Sequence, residues 1–138
     1  MFIDDFVPVA SDILVANAWL LSHGAEIARA AADATVATRS FTFGPARSRP
    51  EALVVPIHWT AAPPAAFLEL QGDLQTTCLD GAITHLSLSA SCDLSVGTPG
   101  LRGQGLAAER AAEQSVRAFL EHVGGELAAR GRGPERRA

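Results

Sequence analysis

Two neighbouring stretches of this chain alternate apolar and polar residues so regularly that they read as the arms of one antiparallel hairpin. In the first arm, Leu68, Leu70, Leu74 and Cys78 share one parity, and Glu69, Gln71, Asp73 and Gln75 share the other. In the second, Leu86, Leu88, Ala90, Cys92 and Leu94 alternate with His85, Ser87, Ser89, Ser91 and Asp93. Period-two patterning of this kind gives a sheet with one dry and one wet face. It also restricts the register, because a slip of one residue exposes the whole apolar set. A two-residue Asp80-Gly81 turn would set Leu74 against Ser87 and mix the faces. A three-residue loop, Leu79-Asp80-Gly81 with Gly81 left-handed, sets Leu74 against Leu86 and Leu70 against Ala90. Cys92 then faces Leu68, about ten residues or roughly 30 Å along the strand from Cys78. A disulfide needs α-carbons within about 7 Å, so both cysteines are expected as buried, reduced thiols.

The rest of the chain supplies elements to cover the dry face. Phe2 to Val9 reads as a first strand. Ser11-Asp12 offers an N-cap, and the run from Ile13 to Leu21 is apolar nearly all round, which predicts a well-buried helix. Gly24 stands where a C′ glycine would end that helix, and a second, alanine-rich helix follows from Ala25 to Ala34. Arg39 to Gly44 reads as a short strand with Phe41 and Phe43 on one face, and Pro45 to Pro50 as a loop. Leu53 to Ala61 reads as a strand with Leu53, Val55, Ile57 and Trp59 inward. Pro56 places it at an edge or a bulge. The last element is a long helix from about Gly105 to Arg130, whose Ala112, Val116, Phe119, Leu120, Val123 and Leu127 form one apolar stripe. Gly124-Gly125 weakens it late in its course. The expectation is one α+β domain over residues 1–130, with a disordered, dispensable tail over 131–138.

Composition removes several kinds of chemistry. The 138 residues carry a net charge of −4, which argues against a nucleic-acid surface. All eleven basic residues are arginine, so neither a Schiff-base lysine nor a P-loop lysine exists. The N-terminus is acidic where a signal peptide would be basic, and no apolar run is long enough to span a bilayer. The resulting expectation is a cytoplasmic protein without membrane insertion; a homodimer stays open.

The recognisable motifs mostly have plain structural explanations. Gly103-Gln-Gly105-Leu-Ala-Ala108 matches a dinucleotide fingerprint, but no second parallel strand is expected after it, and it reads as a glycine loop before a helix. His23, His58, His85 and His122 form no HxH, HxxxH or CxxC combination, so no metal or other cofactor is expected. His58, beside Trp59, is the one histidine placed near a bulky aromatic, though alternation points the two apart. The serines of the wet face lack a GxSxG elbow and an activating histidine. Trp19 and Trp59 either fill the core or border a ligand.

The order of strand, helix pair, antiparallel strands and long C-terminal helix resembles the SRPBCC or START-like superfamily, the helix-grip (Bet v 1-like) fold. The wording of Val55-Pro-Ile-His-Trp-Thr-Ala61, Phe67-Leu-Glu-Leu-Gln-Gly-Asp-Leu74, Thr84-His-Leu-Ser-Leu-Ser89 and Ala111-Ala-Glu-Gln-Ser-Val-Arg-Ala-Phe-Leu120 is similar to that of actinobacterial members of unassigned function. The chain departs from them at Cys92-Asp-Leu-Ser-Val-Gly97, where an aromatic and two prolines would be expected. The resemblance implies a curved antiparallel sheet wrapped around the final helix, with an elongated apolar cavity between them. It also implies a hydrophobic ligand, lipid-like or polyketide-like. The residues expected to line such a cavity are Trp59, Leu68, Leu70, Leu86, Leu88, Val116, Phe119, Leu120 and Val123. A cyclase or dehydratase using the same cavity would need polar side chains there, and the sequence offers only Thr76, Thr84 and the thiols, with His58 or Arg110 if a bulge turns them inward. A structural or dimerisation domain with a filled core is the third reading.

Overall fold

The computed structural model describes residues 1–94 and 102–132. Six strands form one antiparallel sheet: β1 (Phe2–Val9), β2 (Thr38–Phe43), β3 (Arg47–Arg49), β4 (Ala52–Ala61), β5 (Phe67–Asp80) and β6 (Ile83–Leu94). Their order is β1-β6-β5-β4-β2, with β3 also paired to β4. Two helices, α1 (Ile13–Thr35) and α2 (Arg102–Arg132), complete the chain. This is an α+β helix-grip architecture, as the resemblance implied.

The hairpin has the expected faces and a different register. Leu74 pairs with Leu88 and Leu70 with Cys92, a shift of two residues from the expected pairing. The turn is Gly81-Ala82, flanked by Asp80 and Ile83, with a bulge between Cys78 and Asp80. The Asp80 carboxylate accepts from the backbone N–H of Ala82 (2.8 Å) and Ile83 (3.1 Å), which fixes the turn without a left-handed glycine. A second bulge lies at Leu68, between the Phe67–Leu94 and Glu69–Asp93 pairs. It reverses the parity at the start of β5: Phe67 goes into the core and Leu68 is 47% exposed.

The other strands follow from local chemistry. Pro8 and Asp5 interrupt the apolar run of β1, yet Ile3, Val7 and Val9 still point inward and are buried. In β4, Leu53, Val55, Ile57 and Trp59 are buried as expected. This strand is interior, not an edge, and its proline is accommodated in the neighbouring strand. β2 and β3 together make one edge interrupted at Gly44–Ala46, and β3 lies within Pro45 to Pro50, where the sequence suggested only loop. The N–H of Gly44 donates to the carbonyl of Pro56 (2.7 Å), so the proline's missing donor faces the break.

The expected helix pair is a single helix. Asp12 caps α1, its carboxylate accepting from the N–H of Leu14 at 2.8 Å. Gly24 does not end it. A Cβ there would come within 2.5 Å of the Phe43 ring, so the glycine lets α1 settle onto β2. Small residues, Ala16, Gly24, Ala28, Ala31 and Ala32, make up most of its buried face. The run from Ile13 to Leu21, expected to be well buried, is buried at Ala16 and Leu20, while Leu14 and Leu21 face solvent.

In α2, Ala112, Val116, Phe119, Leu120, Val123 and Leu127 all have zero exposure, the stripe read from the sequence. Arg117 reaches Asp5 of β1 at 2.7 Å and ties the helix to the sheet edge. The helix begins at Arg102, so Gly103 and Gly105 lie in its first turns and not in a loop. It continues through Gly131, whose α-carbon lies close to Ser11, so the tail is helical at its start. Residues 133–138 lie outside the described residues.

The two adjacent glycines of α2 do different things. A Cβ at Gly124 would stand 3.1 Å from Val9 and 3.4 Å from Val7, whereas one at Gly125 would meet nothing. Gly125→Ala is therefore expected to raise stability by about 0.5–1 kcal/mol through helix propensity. Gly124→Ala should forfeit that gain by pushing α2 off β1. Urea denaturation of the two variants checks this.

Candidate functional site

The inward face of the sheet and the stripe of α2 meet in one aromatic and aliphatic cluster. The indole of Trp59 lies 4.8 Å from the Phe67 ring and 5.1 Å from the Phe119 ring, centroid to centroid. Phe41 closes the cluster at 5.9 Å from both Trp59 and Phe119. The Trp59 Nε1–H donates to Thr38 Oγ1 at 3.0 Å, so its one polar atom is satisfied.

Eight of the nine expected cavity-lining residues come together here. Trp59, Leu70, Leu86, Leu88, Val116, Phe119, Leu120 and Val123 form one hydrophobic core, and each has zero exposed surface. A water-sized sphere finds no room against any of them, from outside or from within. In this conformation they close on one another between sheet and helix. Leu68, the ninth, stands outside the core on its bulge.

The polar groups near this interior are engaged or buried. The Thr76 hydroxyl donates to the Asn17 side chain of α1, and the Thr84 hydroxyl to the Ser11 carbonyl at 2.8 Å. Burial pushes the Cys92 thiol from its ordinary 9.0 up to about 11, aided by Asp93 and opposed by the N-terminal ammonium. His58 points to the outer face, where its Nε2 contacts Glu69 at 2.9 Å, and Arg110 is exposed. Among the described residues, no group of three or more histidine, cysteine or carboxylate side chains could hold a metal ion.

Cys78 departs from expectation. The twist and bulge at the end of β5 leave it exposed, its thiol donating to the Asp80 carbonyl at 3.2 Å, while Cys92 is buried. A thiol reagent such as DTNB should titrate one cysteine in the native protein and two after unfolding. The raised Cys92 value sets a pH dependence as well. Its folded pKa exceeds the unfolded one, so its stabilising contribution is complete below pH 9 and is lost as pH rises toward about 11. Cys92→Ala should remove that component of the alkaline destabilisation.

A groove reaches the inward face from solvent. It lies between the first half of α1 and the β3–β4 turn and has a volume of about 290 Å³. Leu14, 76% exposed, and Leu21, 61% exposed, stand on its rim. Leu53 and Thr76, both on the dry face and both buried, lie at its floor, and Cys78 borders it. The Thr76–Asn17 hydrogen bond joins helix to sheet at that floor. Sequence reasoning missed this groove, because leucines in an almost wholly apolar helix carry no mark of which face is exposed.

No family model and no curated protein matches the sequence. Solved structures do match it along nearly its whole length. A conserved protein from Geobacillus kaustophilus superposes with a TM-score of 0.55 at 11% identity, covering 94% of this chain and 97% of its own. A Thermus thermophilus protein gives 0.55 at 12%, covering 94% and 98%. Ara h 8.0201 gives 0.54 at 8%, again covering 94% and 98%. At these identities the likeness is one of fold, the helix-grip fold. Among the described residues, no helix is long and apolar enough to cross a membrane.

Proposed function

We propose that the protein binds an apolar small molecule, lipid-like or polyketide-like, which enters through the groove beside Leu14 and Leu21. The observation that carries this reading is the pair of exposed leucines above a floor made of the dry face. Covering a leucine side chain is worth about 2 kcal/mol, and nothing within the described chain covers these two. A ligand seated there would meet Leu53 first. It would reach the interior bounded by Trp59, Leu70, Leu86, Leu88, Val116, Phe119, Leu120 and Val123 only as α1 moves off the sheet. Because the interior is closed at rest, the binding-competent state is a minor one, and affinity is lowered in proportion to its population.

The zero exposure of those eight residues favours a second reading, a structural domain whose core is complete. Tryptophan fluorescence separates the two. Titration with decanoic acid and with an aromatic polyketide should give a saturable change in the micromolar range, about −8 kcal/mol at a Kd of 1 μM. Leu21→Asp should weaken it about tenfold without lowering the melting temperature, since Leu21 supports no core contact. A flat titration with both ligands would leave the structural reading.

A further inference from the structure

The outer face of the sheet holds a second, larger concavity. It has a volume of about 650 Å³ and lies on the side of the sheet away from both helices. Four of its residues lie on one line across the strands: Thr42 of β2 pairs with His58 of β4, His58 with Gln71 of β5, and Gln71 with Ser91 of β6. The line continues beyond the concavity to Phe2 of β1, which pairs with Ser91. Strands lie about 4.8 Å apart, so this transverse row runs roughly 19 Å from Thr42 to Phe2. Gly44 and Gly72 add no side chain to the hollow, and Pro56 adds only a short ring.

Hydrogen bonds on this face are distributed unevenly. Beside the row, Ser40 is bonded to Thr60 at 2.6 Å and Ser89 to Asp4 at 3.1 Å. Within the row, His58 Nε2 lies 2.9 Å from a Glu69 carboxylate oxygen. Among the described residues, the side chains of Thr42, Gln71 and Ser91 have no protein partner. Each can both donate and accept. At the end of the row Phe2 is 68% exposed, an aromatic ring that no packing within the described chain covers. Carboxylates flank the row: Asp4, Glu69, Asp73 and Asp93. The cations beside them are Arg47, 3.9 Å from Asp73, and the Met1 ammonium, which donates to the Cys92 carbonyl at 3.2 Å.

We infer that this row is a binding track for an extended, polyhydroxylated ligand that carries amino groups, an amino-sugar oligosaccharide. Free hydroxyl and amide groups at regular spacing match a ligand whose hydroxyls also donate and accept. The exposed Phe2 ring offers a face for the C–H side of a sugar ring. The flanking carboxylates favour an ammonium group and repel phosphates, which sets nucleic acid aside as the occupant of this sheet face. The track lies on the opposite side of the sheet from the groove at Leu14, so the two sites can be tested apart.

The test is amide NMR of the full chain titrated with the hexamer of glucosamine, with its N-acetylated counterpart, and with spermine as a charge-only control. The expected result is saturable shifts at millimolar glucosamine hexamer, centred on Thr42, His58, Gln71 and Ser91. Phe2→Ala and Gln71→Ala, both at exposed positions, should each weaken binding at least about fivefold and leave the decanoic acid titration unchanged. Absence of saturable shifts with both hexamers, or shifts located elsewhere, would overturn the proposal. Equal binding of spermine would overturn it too, by reducing the site to charge. Tighter binding of the acetylated hexamer would overturn the assignment of an amino sugar.

Discussion

Gly72→Ala should destabilise the fold by about 3 kcal/mol or more, at the upper end of what overpacking costs. Gly72 pairs with Ala90 on β6 and with Ile57 on β4, in the middle of the sheet. A Cβ built on it would collide with the Ser89 carbonyl oxygen and lie 2.6 Å from both the α-carbon and the methyl of Ala90. Two of those three atoms are backbone of the partner strand, so no rotamer change relieves the contact. The hairpin must open or the sheet must lose its bend. The loss would be a large share of a total stability that is ordinarily about 5–15 kcal/mol. Gly81→Ala is the control: a Cβ there meets nothing, and the change should be near neutral. Chemical denaturation of both variants checks the pair. A Gly72→Ala protein as stable as the parent would mean that β5 and β6 do not approach this closely.

Trp59→Ala should cost about 3–5 kcal/mol, the range for removing a buried aromatic from a filled core. The indole touches elements on every side of the interior: Phe41 from β2, Phe67 from β5 and Phe119 from α2. Its removal leaves a void that none of these rings can reach across without moving the backbone. Trp59→Phe keeps a ring and gives up the bond to Thr38, and should cost clearly less. The comparison also reports on the interior itself. If a ligand-sized cavity already lay beside Trp59, the indole would have fewer contacts to lose, and the cost would fall below this range.

The parts of this fold that the sequence made legible are those carried by periodicity. The dry faces of β4 and β6 and the stripe of α2 were readable because burial on one face leaves a two- or 3.6-residue rhythm. The hairpin register was not, because a shift of two residues preserves both faces and the choice rests on Asp80 capping the Gly81-Ala82 turn. Leu68 was misplaced for a related reason: a bulge reverses parity, and its cause is the pairing of Phe67 with Leu94. Gly24 looked like a helix end. What it does depends on the Phe43 ring, nineteen residues away in sequence. Eight of the nine residues expected around a cavity share one core and Leu68 does not, but whether such a cluster is full or hollow depends on side-chain volumes in three dimensions. Here the small residues of α1 let that helix pack close, and the eight clustered residues carry no exposed surface.

Cys78 borders the groove on whose rim Leu14 and Leu21 stand, and its thiol is exposed while Cys92 is buried. The native protein therefore carries its own reporter for that site. The direct measurement is the rate of Cys78 alkylation by iodoacetamide as decanoic acid or an aromatic polyketide is added. Entry of an apolar ligand between α1 and the β3–β4 turn predicts a saturable slowing, with the same midpoint as the fluorescence titration and a tenfold weaker midpoint in Leu21→Asp. An alkylation rate unchanged at every concentration of both ligands would contradict it.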